Sequence, residues 1–288
     1  MKPDLPAVLH NDLHRRASTP LLVDVDPQLD TSSFSPRPTS IPWTTEDGET
    51  HAICEMDGEY PRVLLPRIGI IRVTDDLGHL RGIVAHPDKI PVLEEVHYRF
   101  ALPMILQAAG SEMLHASAVR VQSGVIALCG TSGTGKSTLA YSLSRRGHQH
   151  WADDSVVFLP HQNAFESFRL PFRPRVEIAI HERLDLIRGI ESAPLAAIVV
   201  LRRQTQEMVQ SSDFRVSVRK LSPADAFRTV LPHIYSFILS DPQRNALMMA
   251  RYFDIAARVP VYDVQFTPCL DALPKLCEIV EQSCFGPS

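Results

Sequence analysis

Between Val125 and Arg146 the chain reads VIALC, then GTSGTGKS, then TLAYSLSRR, and this stretch constrains the fold more than any other. Gly130-Thr131-Ser132-Gly133-Thr134-Gly135-Lys136-Ser137 fits G-x-x-x-x-G-K-[ST] completely, an event expected by chance about once in a thousand chains of this composition. An apolar run before the glycines and a helix-forming run after them predict strand, loop and helix in that order, with Gly147 closing the helix. Such a loop turns successive backbone N–H groups toward phosphate oxygens and adds the positive end of a helix dipole. We therefore expect residues 130–138 to cradle phosphates, with the Lys136 ammonium on the β- and γ-phosphates and the Ser137 hydroxyl on Mg²⁺. Only five of the 29 basic residues are lysines, so a lysine inside this pattern is informative.

The rest of the sequence limits the alternatives. The 288 residues, 44% hydrophobic and 22% charged, make an ordinary folded chain of one or two domains. A net charge of −4 leaves no global positive field for a nucleic-acid backbone. Five cysteines without a C-x-x-C pair fit neither a disulfide framework nor a zinc ribbon and point to a reducing, cytoplasmic setting. Met1–Arg16 carries no apolar signal segment and no window is apolar enough to span a bilayer, so neither secretion nor a membrane partner is expected.

We read residues 1–88 as a small β-rich N-terminal domain with an irregular Pro/Ser/Thr-rich leader. It has a strand at 21–25, further short strands up to 85 and a hairpin turn at 75–79. Residues 89–288 form the catalytic domain, opening on a helix that Pro103 should kink. Later helices are announced by Ser222-Pro223 and Asp241-Pro242, each an N-cap candidate before a proline, and the chain closes on a strand at 259–266 and a last helix.

Asp153-Asp154 follows QHWA, which we expect to be a strand beside the P-loop strand, delivering both carboxylates to the sheet edge where phosphates bind. One of the two suits Mg²⁺ and the other the proton of an attacking hydroxyl. His115 lies just upstream of the P-loop strand. Arg173 and Arg175, two apart in an extended segment, are further candidates for phosphate or substrate. Arg202-Arg203 and the remaining histidines stay outside the expected site.

Taken together, His115-Ala116, Gly130–Ser137, Arg146-Gly147-His148 and Ala152-Asp153-Asp154 resemble, in order and spacing, the core of the HPr kinase/phosphorylase family of bacterial serine kinases. The resemblance covers about 45 residues. The family's loop ends Lys-Ser-Glu where this chain has Lys136-Ser137-Thr138, and its later E-I-R-G signature is only echoed by Glu177-Ile178-Ala179. The chain looks more like the shorter, divergent members, among them tailoring kinases of lasso-peptide clusters. The resemblance implies an α/β fold with a P-loop kinase core of the HPr kinase and phosphoenolpyruvate carboxykinase type. It also implies ATP and Mg²⁺ as cofactors, transfer of the γ-phosphoryl group to a serine of a peptide or protein, and a homo-oligomer. Asp153, Asp154, His115 and Lys136 are then the catalytic set, and Ser137 with Asp154 the metal ligands. A phosphotransferase acting on a small metabolite and a nucleotide-binding regulatory module are the alternatives.

Overall fold

The structure is a computed structural model, and it describes residues 21–37, 40–44, 48–57, 60–73, 80–108, 110–174, 187, 191–204, 214–236 and 242–285. The protein is mixed α/β and divides into two compact units, one of residues 11–109 and one containing 110–288.

In the first unit, β2 (Ile41–Thr44), β3 (Thr50–Asp57), β4 (Tyr60–Leu65), β5 (Gly69–Val73) and β6 (Leu80–Val84) follow one another as an antiparallel meander. The expected strand β1 (Leu21–Val25) adds to its end, parallel to β6. The hairpin expected at 75–79 lies outside the described residues. On β6, Leu80 and Val84 are buried while Arg81 is exposed, the period-2 pattern of a sheet with one covered face. Gly82 lies between them, and a Cβ there would fall 2.5 Å from the Leu93 side chain, so the missing side chain is what seats the following helix. That helix is continuous but not uniform. It runs as α1 (Ile90–Val96), one π-helical turn (His97–Ala101) and α2 (Leu102–Ala108); the Leu102 N–H bonds the His97 carbonyl, and Pro103, which has no N–H to give, follows directly.

The second unit is built on β13 (Glu191–Arg203). Its last half lies between β9 (Gly124–Cys129) and β15 (Val261–Phe266), parallel to both. β8 (Ala116–Val121) and β10 (Gln149–Ala152) extend this sheet beyond β9, and β14 (Val216–Lys220) extends it beyond β15. The first residues of β13 pair instead with β12 (Ala164–Arg169), which continues through β11 (Val156–His161) to β7 (Glu112–Leu114).

One extra residue near Ala196 lets a single strand serve both arrangements. Leu195 packs with Val125 in one core, whereas Ala197 packs with Ile126 in the core on the opposite face. The latter core is closed by α3 (Lys136–Arg145) and α6 (Leu273–Cys284), through Leu139, Leu143, Leu276 and Val280. The former is closed by α4 (Pro223–Val230) and α5 (Pro242–Arg258), through Ala226, Val230, Tyr252 and Ile255. Ser222 caps α4 as expected, its hydroxyl accepting from the Asp225 N–H, while Asp241 lies outside the described residues. All five cysteines are free thiols. No helix among the described residues is long and apolar enough to cross a membrane.

Candidate functional site

β9 is buried on both faces and ends at Cys129, so the chain leaves the sheet at its carboxyl edge and must reverse into α3. Gly135 makes the entry with φ 101°, a conformation costly for any residue with a Cβ. Leu139 N–H, bonded to the Gly135 carbonyl at 2.9 Å, makes the first bond of the helix, and the amides of the turn before it carry the positive end of the dipole. Inside the loop, the Thr134 N–H and hydroxyl both donate to the Thr131 carbonyl, at 3.2 and 2.6 Å. Lys136 Nζ folds over the loop and donates to the Gly130 carbonyl at 2.8 Å and the Thr131 carbonyl at 3.3 Å. Burial lowers the Lys136 pKa, an effect opposed by Asp154, Cys129 and Asp153. The ammonium is thus held beside the amides by carbonyls that a phosphate can replace.

At the other end of α3, Gly147 (φ 106°) and His148 close the helix on the Ser144 and Leu143 carbonyls. Arg146 then grips Glu281 of α6 through two bonds of 2.9 and 2.7 Å, and His148 Nε2 lies 3.0 Å from the same carboxylate. The Arg-Gly-His element therefore fastens the P-loop helix to its neighbour.

β10 is not the immediate neighbour of β9, as expected from sequence. β8 lies between them, antiparallel to both, because a short reversal at 122–123 pairs β8 with β9 first. Two antiparallel steps leave β10 running in the same sense as β9, so its carboxyl end still reaches the P-loop edge. There Asp153 Oδ1 accepts from Ser137 Oγ at 2.7 Å and from Ser117 Oγ at 2.6 Å. It is Asp153, and not the expected Asp154, that bonds Ser137; Asp154 follows it in left-handed backbone (φ 76°) and is the larger of the two carboxylate influences on Lys136.

Asp154 faces His115 instead. His115 Nδ1 is 3.1 Å from the Asp154 carbonyl and 3.9 Å from its Oδ1. A carbonyl only accepts, so that bond puts the proton on Nδ1 and leaves Nε2 with its lone pair in the neutral ring. The His115 N–H donates to the His233 carbonyl at 2.7 Å and its ring meets Tyr235 edge to face, at 5.1 Å between centroids. Burial, with Lys136, His115 and Arg202 nearby, lowers the His233 pKa to about 4, so that ring is neutral.

The structure thus brings together Lys136, Ser137, Asp153, Asp154 and His115 around the loop. Arg173 is half-buried in the segment after β12, and Arg175 lies outside the described residues. The arginine that does touch the P-loop was not among the expected ones: Arg203, at the carboxyl end of β13, donates through Nε to the Thr134 carbonyl at 3.2 Å. Its position, at the end of the strand next to the P-loop strand, is the signal that could have found it. Ser117, on β8, was missed as well.

The donor set suits magnesium: one carboxylate and hydroxyl oxygens around a phosphate cradle, with the remaining positions for water and phosphate. No family model matches the sequence, and no curated protein matches it. Among solved structures, the chain is similar to the HPr(Ser) kinase/phosphatase from Coxiella burnetii, with 15% identity and a TM-score of 0.30 over 59% of this chain and 94% of that one. A likeness of that degree carries no argument, and the chemistry of the site follows from its own residues.

Proposed function

We propose that this chain is a Mg-ATP-dependent kinase that transfers the γ-phosphoryl group to a hydroxyl, a serine of a peptide or protein, on a P-loop core of the HPr kinase type. The observation that carries this reading is the 2.7 Å contact between Ser137 and Asp153 in the first turn of the P-loop helix. A hydroxyl and a carboxylate meeting at that point form the protein half of a Mg²⁺ site in P-loop enzymes. ATP, when bound, supplies the transferable phosphoryl group, and the amides of residues 131–137 with Lys136 would hold its phosphate tail.

With Asp153 at the metal position, this reading gives Asp154 the proton of the acceptor hydroxyl. Both Asp154 and His115 are about a quarter exposed, at 22% and 28%, so an acceptor reaches them from solvent. His115 holds the Asp154 backbone and fixes the direction of its side chain. Catalysis of this kind is positioning and charge stabilisation, with little covalent chemistry required of the protein.

The experiment is phosphate transfer from labelled ATP to serine peptides and, in parallel, to small hydroxy compounds, with Lys136→Ala, Asp153→Asn and Asp154→Asn as controls. Transfer to a peptide, lost in all three variants, is the expected result. Unchanged turnover in the variants rejects the site, and transfer only to small compounds rejects the peptide acceptor.

A further inference from the structure

A cleft of about 650 Å³ opens against residues 131–134 of the loop, within the size range of small-ligand sites. Its other walls are the carboxyl end of β13, with Arg202 and Arg203, and the end of α4 with the turn that follows, including Arg228, Thr229 and His233. Among the described residues, no aspartate or glutamate lines it.

The three arginines are not equivalent. Arg202 is committed to the buried Asp263, with Nε 2.9 Å from Oδ1. Arg203 spends only Nε, on the Thr134 carbonyl, and meets no carboxylate among the described residues, so the outer edge of its guanidinium is unused. Arg228 lies 3.7 Å from Asp225 with both side chains exposed, 79% and 46%, a pair too weak to hold it. Two arginines from different elements therefore line one cavity, together with a threonine and a histidine whose ring is neutral. Planar guanidinium groups recognise carboxylate and phosphate through paired N–H···O bonds.

We propose that this cleft is a second oxyanion subsite, where Arg203 and Arg228 hold a carboxylate or phosphate borne by the acceptor while the loop amides and Lys136 hold the nucleotide tail. The word acceptor rests on the kinase reading; the anion subsite does not. The acceptor serine accordingly lies in an acidic or otherwise anionic context.

The test is a calorimetric titration of inorganic phosphate into the full chain saturated with Mg²⁺ and a non-hydrolysable ATP analogue, which fills the loop. Phosphate should bind, and Arg228→Ala and Arg203→Gln should each weaken it about tenfold, the loss of one charged fork. Arg228→Ala should change affinity for the analogue less than twofold. No phosphate binding to the loaded chain, or equal affinity in the variants, overturns the subsite. An equal loss of analogue and phosphate affinity overturns it too, assigning the arginines to the nucleotide tail.

If the analogue fails to bind at all, the kinase reading falls, and phosphate titrated into the free chain still decides the cleft. Sensitivity to Arg228→Ala but not Lys136→Ala then supports it, and the reverse rejects it. For the acceptor, a serine peptide flanked by aspartates is compared with its asparagine counterpart. A rise in KM with Arg228→Ala confined to the acidic peptide supports the assignment, and an equal KM for both peptides in the native chain rejects it.

Discussion

Ser137 Oγ and Ser117 Oγ converge on the same oxygen of Asp153, at 2.7 and 2.6 Å, from two different elements, the P-loop helix and the strand before the P-loop strand. The carboxylate is thereby aimed before any ligand arrives, with Ser117 acting through Asp153. Asp153→Asn should lower turnover about 10²–10⁴-fold, the range for a group acting directly on reacting charge or protons. Ser117→Ala removes one bond to a charged acceptor, about 1.5–3 kcal/mol, and should shift the Mg²⁺ concentration needed for half-maximal turnover upward, with recovery at high Mg²⁺. A Mg²⁺ profile identical to that of the unmodified chain would show that Ser117 does not orient the carboxylate.

Asp154 occupies left-handed backbone, φ 76°, which costs a residue with a Cβ about 1 kcal/mol or more. Glycine adopts that conformation freely, so Asp154→Gly should leave stability unchanged or raise it by about 1 kcal/mol in urea unfolding. Turnover should still fall by two orders of magnitude or more, because the proton acceptor is gone. A variant both less stable and fully active would contradict both halves of the argument.

How far the sequence carries depends on whether the signal is local. The P-loop helix ends where Gly147 implies, and Ser222 caps α4, because each is decided within about six residues. β1, also local, lies where expected at 21–25. The pairing of β10 with β8, by contrast, depends on a competition between strands that hydrophobicity alone does not resolve. Likewise, no pattern in Leu195-Ala196-Ala197 marks the extra residue, after which the odd-numbered residues of β13 face the other core. In the site, the loop and both aspartates were legible as a motif with a mechanism. Arg203 had a signal only in its place at the end of β13, and Arg228 had none, because the two meet at one cleft through tertiary packing of β13 and α4.

His115 is reached through β7, and that strand is pinned from behind. Glu112, fully buried, accepts from Arg244 at 2.9 and 3.0 Å and from Arg251 at 2.8 Å, both on α5. Tyr252 receives the Met113 N–H at 2.9 Å and donates to the Met113 carbonyl. Glu112→Ala leaves two guanidinium groups facing a buried gap and should cost about 3–5 kcal/mol in urea unfolding, the range for breaking a buried ion pair. Tyr252→Phe removes a hydroxyl that serves two backbone groups and should cost about 1–3 kcal/mol. A loss under 1 kcal/mol for Glu112→Ala would mean that the arginines find solvent when the carboxylate is removed.

His97 is fully buried in the π-helical turn, and neither ring nitrogen has a partner among the described residues. Burial lowers its pKa to about 4, and the same direction and value hold for His233 in the second unit. Both values lie below the 6.5 of an unfolded histidine, so the unfolded chain takes up these protons first. Stability is then complete above about pH 6.5 and falls as the pH drops toward 4. For His97 the loss is on the order of 2–3 kcal/mol across that window, since each pH unit costs about 1.4 kcal/mol. His97→Leu substitutes an apolar side chain where nothing satisfies a polar one, which removes the penalty for protonation. The midpoint of urea unfolding should therefore drop less between pH 7.5 and pH 5 in His97→Leu than in the unmodified chain. Parallel profiles for the two proteins would place the acid sensitivity elsewhere.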